Sequence, residues 1–207
     1  MQRLENKYLI YSGLDKNKFL KFILKNKSYE IHQKRTINSI YFDYPDFRLF
    51  DFSEEGLATK NKIRLRYYGK ILNFKNLNLE IKESNPYSKK KYTSNFLDNI
   101  TSVSKNISDT KNLISKKNIM PTIKVTYDRR YFFSNEFGRF TLDENITYEK
   151  AEWDIFLKSF RFKNKIREIL SVCEHKLENN NFNKEIFPIP NNRFSKYCEA
   201  VKYIYRI

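Results

Sequence analysis

The 207-residue sequence contains only four Gly and five Pro. That scarcity leaves no flexible linker and no Gly-rich phosphate loop, so a single continuous domain over residues 1–207 is expected. Its two cysteines, Cys173 and Cys198, match neither a zinc spacing nor a disulfide framework, and a reducing, cytoplasmic setting is expected. The two histidines, His32 and His175, have no partner at metal-ligand spacing and read as structural or surface residues. No apolar run reaches 18 residues and no signal-peptide apolar segment opens the chain, so neither a membrane span nor export is expected. RNP, helix-turn-helix and zinc-finger patterns are missing too, which argues against a specific nucleic-acid partner.

What the chain has in quantity is positive charge and aromatic rings. Forty Lys and Arg against 24 Asp and Glu give +16, and aromatics make up 16% of residues. Disordered basic chains are poor in aromatics, so this composition fits a folded protein with an anionic partner. Alternation with period two dominates the order of residues. Between Lys62 and Tyr68, Lys62, Arg64, Arg66 and Tyr68 share one face while Ile63, Leu65 and Tyr67 share the other. Asn78, Glu80 and Lys82 likewise stand opposite Leu77, Leu79 and Ile81, and Glu174 and Lys176 stand opposite Cys173, His175 and Leu177. Arg3 to Ile10 alternates as well, with Arg3, Glu5 and Lys7 together. Asp15 reads as the N-cap of an amphipathic helix containing Phe19, Leu20, Phe22 and Ile23. Ser195 reads as the N-cap of a terminal helix with Tyr197, Ala200, Val201 and Ile204 on one side. The aromatics Tyr41, Phe42, Tyr67, Tyr127, Phe132 and Tyr197 read as core. The segment around Trp153 has no resolved period and is given no function.

The triplet Glu-x-Lys recurs at Glu5–Lys7, Glu80–Lys82 and Glu174–Lys176, each time in a strand-like segment. A single charged strand face would be solvated in an ordinary antiparallel sheet. If several such faces closed on one lumen, its lining would be mostly cationic. Two cations about 5 Å apart repel by roughly 3 kcal/mol at an effective dielectric near 20, so such a lumen favours a bound polyanion.

The motifs LENKY (Leu4–Tyr8), SIYFD (Ser39–Asp43), KIRLRYYG (Lys62–Gly69) and LEIK (Leu79–Lys82) run in order along the chain. They are followed by the cluster Lys89–Lys91, YDR (Tyr127–Arg129) with Phe132, RFTLD (Arg139–Asp143), CEHKL (Cys173–Leu177) and RFSKY (Arg193–Tyr197). Together they resemble the vacuolar transporter chaperone (VTC) domain, the polyphosphate polymerase branch of the triphosphate tunnel metalloenzymes, also called CYTH-like proteins. The resemblance implies an α+β fold, a closed antiparallel β-barrel with helices packed outside, whose inner wall grips a triphosphate or a phosphate chain. It also implies ATP and inorganic polyphosphate as partners. Lys7, Arg64, Arg66, Lys82 and Lys176 would serve the transfer, and Lys89 or Lys91, Arg129 or Arg130, Arg139 and Lys196 would bind phosphate. Glu174 would hold Mn or Mg. Alternation groups Lys124 with Arg130 and leaves Arg129 with Ile123 and Val125, so a bulge would be needed to turn Arg129 inward, and Arg130 is the substitute.

Hydrolytic members of that superfamily begin Glu-x-Glu-x-Lys, whereas here the first carboxylate position is Arg3. Hydrolysis needs a positioned, deprotonated water, but transfer to a phosphate chain has an acceptor that is already an anion. The reading is therefore a polymerase that passes the γ-phosphoryl group of ATP to polyphosphate. A tripolyphosphatase or nucleoside triphosphatase on the same fold and a non-catalytic polyphosphate-binding module are the alternatives. Glu5 and Glu80 are either secondary metal ligands or partners that orient neighbouring Lys and Arg.

Overall fold

In the computed structural model, residues 4–11, 13–57, 59–72, 76–85, 88–95, 118–154, 156, 159–177 and 187–207 are described. They form an α+β protein, a mostly antiparallel sheet with three helices. The strands are β1 (Leu4–Ile10), β2 (Tyr29–Asp43), β3 (Lys60–Tyr68), β4 (Asn78–Ser84) and β5 (Lys89–Asn95). They continue with β6 (Met120–Ser134), β7 (Gly138–Asp154), β8 (Ser159–Arg167) and β9 (Ser171–Leu177). The helices are α1 (Gly13–Lys25), α2 (Arg48–Glu54) and α3 (Lys196–Tyr205). Strand order is β1-β9-β7-β6-β2-β3-β4-β5 with β8 on β7, an open path of pairings among the described residues. No helix among them is long and apolar enough to cross a membrane.

The chain divides into two compact units. The first contains Met1–Thr36, Tyr127–Thr147 and Arg167–Phe194. Its core joins Tyr8 and Ile10 of β1, Phe132 of β6, Phe140 and Leu142 of β7, Cys173 of β9 and the α1 residues Phe19 and Phe22. Each is the apolar half of an alternating strand or the buried stripe of the helix, so the opposite strand faces carry the charge. The α1 helix begins at Gly13, which places Asp15 inside the first turn instead of at the N-cap. A carboxylate there still meets the positive end of the helix dipole.

The second unit contains Ile37–Thr126, Tyr148–Ile166 and Ser195–Ile207. Its core is built from Ile40 and Phe42 of β2, Ile63, Leu65 and Tyr67 of β3, Leu77, Ile119 and Ala151, with Leu79 and Ile81 of β4 packed against it. Burying one Leu, Ile or Phe side chain is worth about 1.5–3 kcal/mol. A one-residue slip of β3 would exchange three of these for Lys and Arg, so the register is strongly enforced. β3 ends at Gly69, whose φ of +86° is a left-handed conformation that suits glycine. Its carbonyl accepts from Asn38 Nδ2 at 2.8 Å, tying the turn to β2.

Ser195 caps α3 as expected, its side chain accepting from Cys198 N. Tyr197, Ala200 and Val201 are buried and Ile204 is half-buried. Tyr197 donates from its hydroxyl to the Asp43 carboxylate. The same carboxylate accepts from the amides of Tyr44, Leu49 and Phe50 at 2.7, 2.9 and 3.0 Å, which satisfies the first turn of α2.

Candidate functional site

In the second unit, register alone assembles a charged surface. Opposite residues of an antiparallel pair share a face, and the pairs here are Tyr41 with Arg64, Ser39 with Arg66, Arg64 with Glu80 and Lys62 with Lys82. Lys82 in turn stands opposite Lys91 of β5. Lys62, Arg64, Arg66, Lys82 and Lys91 thus share a face with one carboxylate, Glu80. Arg64 donates through Nε and Nη2 to Glu80 Oε2 at 2.8 and 2.6 Å, and Lys91 Nζ donates to Oε1 at 2.9 Å. Arg66 Nη1 lies 3.6 Å from Oε1. Burial opposes ionisation of the 5%-exposed Glu80, yet Arg64, Arg66 and Lys91 hold its carboxyl down at about 2. Arg64 also donates through Nη1 to the Tyr41 hydroxyl at 2.9 Å. Lys62 Nζ donates to Ser195 Oγ at 2.8 Å, so the cap of α3 and the cationic face share one hydroxyl.

The first unit contains a second cluster. Arg129 forks onto Asp143, with Nε to Oδ1 at 2.6 Å and Nη2 to Oδ2 at 2.7 Å, and Nη2 also reaches Glu174 Oε2 at 2.6 Å. Burial disfavours the guanidinium charge, but Glu174 and Asp143 raise its pKa well above the usual Arg range. Glu174 stands opposite Lys7 on one side and Thr141 on the other. Lys7 Nζ donates to the Phe194 carbonyl at 2.7 Å, and its backbone is clamped by Asn191 Oδ1 and Asn192 N.

The profile of the VTC domain family matches residues 2–205. The chain belongs to the VTC domain family. A search of curated proteins gives no match. Among solved structures, the PH1819 protein of Pyrococcus horikoshii OT3 is similar with a TM-score of 0.53 at 13% identity, over 98% of both chains. A Vibrio parahaemolyticus protein named as a prospective adenylate cyclase has a TM-score of 0.42 at 13% identity, over 99% of this chain and 86% of its own. At such identity the first neighbour shows a shared fold and nothing further.

The VTC domain places its expected site residues unevenly. Arg64, Arg66 and Lys91 converge on Glu80, and Arg129 pairs with both Asp143 and Glu174 in the cluster of the first unit. Arg129 reaches these carboxylates while β6 stays a continuous strand from Met120 to Ser134. Arg130 instead pairs with Glu30, its guanidinium 5.1 Å from the Phe132 ring centre. Ile123 and Val125, which share the parity of Arg129, are fully buried, so apolar neighbours along a strand do not mark its outer face. Lys89 lies opposite Ser84 in the backbone register, two residues before Lys91. Lys82 and Lys176 are exposed, Lys176 standing opposite Glu5. Arg139 is exposed at the start of β7, on the parity of Thr141 and Asp143. Lys196 is 8% exposed, the first residue of α3. Arg3 lies outside the described residues.

Three members of these clusters carry no assigned role in the sequence reading: Tyr41, Lys62 and Asp143. The alternation of RFTLD groups Asp143 with Arg139, and that of KIRLRYYG groups Lys62 with Arg64, so both had a signal. Tyr41 had none, since a buried aromatic in SIYFD looks like core.

Among the described residues, no three His, Cys, Asp or Glu side chains are grouped to hold a metal ion. Asp143 gives both oxygens to Arg129, and Glu174 gives it one. That donor set fits Mg or Mn brought in with phosphate ligands, a mode that needs only one or two protein carboxylates.

Proposed function

We propose that this single VTC domain, residues 1–207, is a metal-dependent polyphosphate polymerase that transfers the γ-phosphoryl group of ATP to the end of an inorganic polyphosphate chain. The observation that carries the reading is the face on which Lys62, Arg64, Arg66, Lys82 and Lys91 outnumber Glu80. Such a surface neutralises a linear anion with a charge on every phosphate. In this reading the sheet closes into the barrel that the family resemblance implies, with the phosphate chain along its lumen.

In the transfer, the bond from the γ-phosphorus to the β–γ bridging oxygen breaks as a terminal oxygen of the chain bonds to that phosphorus, and ADP leaves. The acceptor oxygen is already ionised, so the protein's work is alignment and charge neutralisation. Arg64 and Arg66, two residues apart on one face, fork onto successive phosphates, which a lysine matches only as a point charge. Lys7, Lys82 and Lys176 neutralise the transferring group. Lys89 or Lys91, Arg129, Arg139 and Lys196 bind the remaining phosphates, with Arg130 as the substitute for Arg129. A bound Mn or Mg, held by Glu174, supplies further screening of the phosphate oxygens. The fork of Arg129 onto both oxygens of Asp143 supports transfer over hydrolysis, because a carboxylate committed to a guanidinium is a poor base for water.

The test is to incubate the purified protein with ATP and Mn and resolve the products. Long phosphate chains and ADP are expected. Orthophosphate without polymer would identify a tripolyphosphatase or nucleoside triphosphatase, and tight polyphosphate binding without turnover a binding module. Failure to make polymer with Mn or Mg, across pH and with a short-chain primer, refutes the polymerase. RNA or duplex DNA binding better than polyphosphate at matched salt would refute the polyanion reading itself.

A further inference from the structure

Tyr41 brings a hydroxyl onto the cationic face in direct contact with Arg64. It stands opposite Arg64 in the β2–β3 register and is 7% exposed. Its oxygen accepts from Arg64 Nη1 at 2.9 Å, and its ring stacks on Tyr197 with centres 5.0 Å apart. A phenol has one proton to donate besides its acceptor lone pairs. Arg64 occupies the acceptor side, and no described residue takes the Tyr41 proton. A buried O–H without an acceptor is unfavourable, and among the described residues none supplies the acceptor, so a ligand on this face can.

The surroundings determine what kind of acceptor that is. Lys62, Arg64 and Arg66 face Tyr41 from β3, with Lys82 on β4 and Lys91 on β5 in the adjoining rows. From α3 come Tyr197 and its neighbour Lys196. The two carboxylates nearby are already engaged, Glu80 by Arg64 and Lys91, and Asp43 by Tyr197 and the amides of α2. Only an anion is compatible with so many cations.

We propose that Tyr41 is a phosphate-binding residue of this site, donating its hydroxyl proton to a non-bridging oxygen of the phosphate that Arg64 grips. The inference rests on the polyanion reading of this face and is independent of whether the enzyme polymerises or hydrolyses. It also makes binding sensitive to pH. Burial alone would raise the phenol, but Arg64, Arg66 and Lys62 bring it down to about 8. A phosphate oxygen alongside favours the protonated form. Below that pH the hydroxyl is ready to donate; above it the empty site has lost the proton, and binding must take one up. With an empty-site value of about 8, the Tyr41 contribution to affinity falls about tenfold between pH 7 and pH 9.

The experiment measures tripolyphosphate binding by calorimetry for the wild type and Tyr41→Phe at pH 7 and pH 9. The phenylalanine retains the ring and its stacking on Tyr197. Losing one hydrogen bond to a charged acceptor should weaken binding about tenfold at pH 7. At pH 9 the two proteins should converge, and because both meet the same ligand, the ionisation of tripolyphosphate itself cancels in the ratio. A ratio near one at both pH values overturns the proposal. A second measurement needs no variant: at pH 8.5, tripolyphosphate should reduce the phenolate absorbance of the wild type near 295 nm. Burial moves Tyr8, Tyr67, Tyr197 and Tyr205 upward, so these four do not compete with Tyr41 in that signal. Unchanged absorbance on saturation also overturns the proposal. A wild type that binds no tripolyphosphate at either pH refutes the polyanion reading, a result distinct from equal binding by the two proteins.

Discussion

Replacing Glu80 with glutamine keeps the side chain's shape and removes the negative charge on which Arg64, Arg66 and Lys91 converge. The carboxyl is held at about 2 against an ordinary 4.5. At about 1.4 kcal/mol per pH unit, that gap corresponds to about 3 kcal/mol of preference for the charged form in the folded state. Solvent reaches the cluster through Lys91, whose side chain is 47% exposed, so about 2 kcal/mol is the better figure for E80Q. For a domain of this length it lowers Tm by roughly 4–8 °C. The pH dependence has a definite sign. A depressed carboxyl contributes stability that is fully present above its unfolded value near 4.5 and lost as pH falls toward about 2. The wild type should therefore lose more stability than E80Q between pH 5 and pH 2, and the two melting curves should approach each other in acid.

The same substitution should act in the opposite direction on ligand binding. With Glu80 neutral, Arg64, Arg66 and Lys91 lose the carboxylate charge they share, and a polyanion supplies a replacement. Saturating tripolyphosphate should thus raise the Tm of E80Q by more than that of the wild type. Thermal melts at pH 7, with and without tripolyphosphate, read both effects. Equal Tm values without ligand, or equal shifts with it, would refute the view that Glu80 stands in for a phosphate when the site is empty.

Glu174→Gln should abolish ATP turnover while changing tripolyphosphate affinity by less than about threefold, as measured by product analysis and calorimetry; unchanged turnover excludes the metal role. Ser195→Ala removes the acceptor for both Cys198 N and Lys62 Nζ. The loss of a helix cap costs about 1 kcal/mol, a Tm decrease of about 2–4 °C, and a wild-type melting curve would show that the cap carries no stability.

Much of this architecture is legible in the sequence because alternation is a local property. Ile63, Leu65 and Tyr67 are buried in the core, and Lys62, Arg64 and Arg66 stand on the opposite face, as period two requires. Ser195 caps α3 for the same local reason, a hydroxyl three residues before an amide in need of an acceptor. Alternation fails where both faces of a strand are covered. All seven residues of β2 from Ile37 to Asp43 are buried, so burial has no period there, and Tyr41 on the cationic face is indistinguishable from Phe42 in the core. Arg129 shows a different limit. Parity assigns it a side, but Asp143 and Glu174, 14 and 45 residues away, decide what lies on that side.

The three Glu-x-Lys triplets show how far a repeated pattern reaches. Glu80 is nearly buried and draws in three cations from β3 and β5. Glu174 is 9% exposed and bound to Arg129, which it shares with Asp143. Glu5 is exposed, opposite Lys176. One triplet therefore occupies three electrostatic environments, because the residues that surround each carboxylate come from strands the triplet does not contain. Glu80 is held by arginines two positions apart on one neighbouring strand, a geometry suited to replacement by a chain of phosphates. Glu174 shares Arg129 with Asp143, so that guanidinium keeps a carboxylate partner if Glu174 turns toward an incoming metal ion. The family resemblance implies the metal role for Glu174, while the convergence of Arg64, Arg66 and Lys91 gives Glu80 the charge-balancing one.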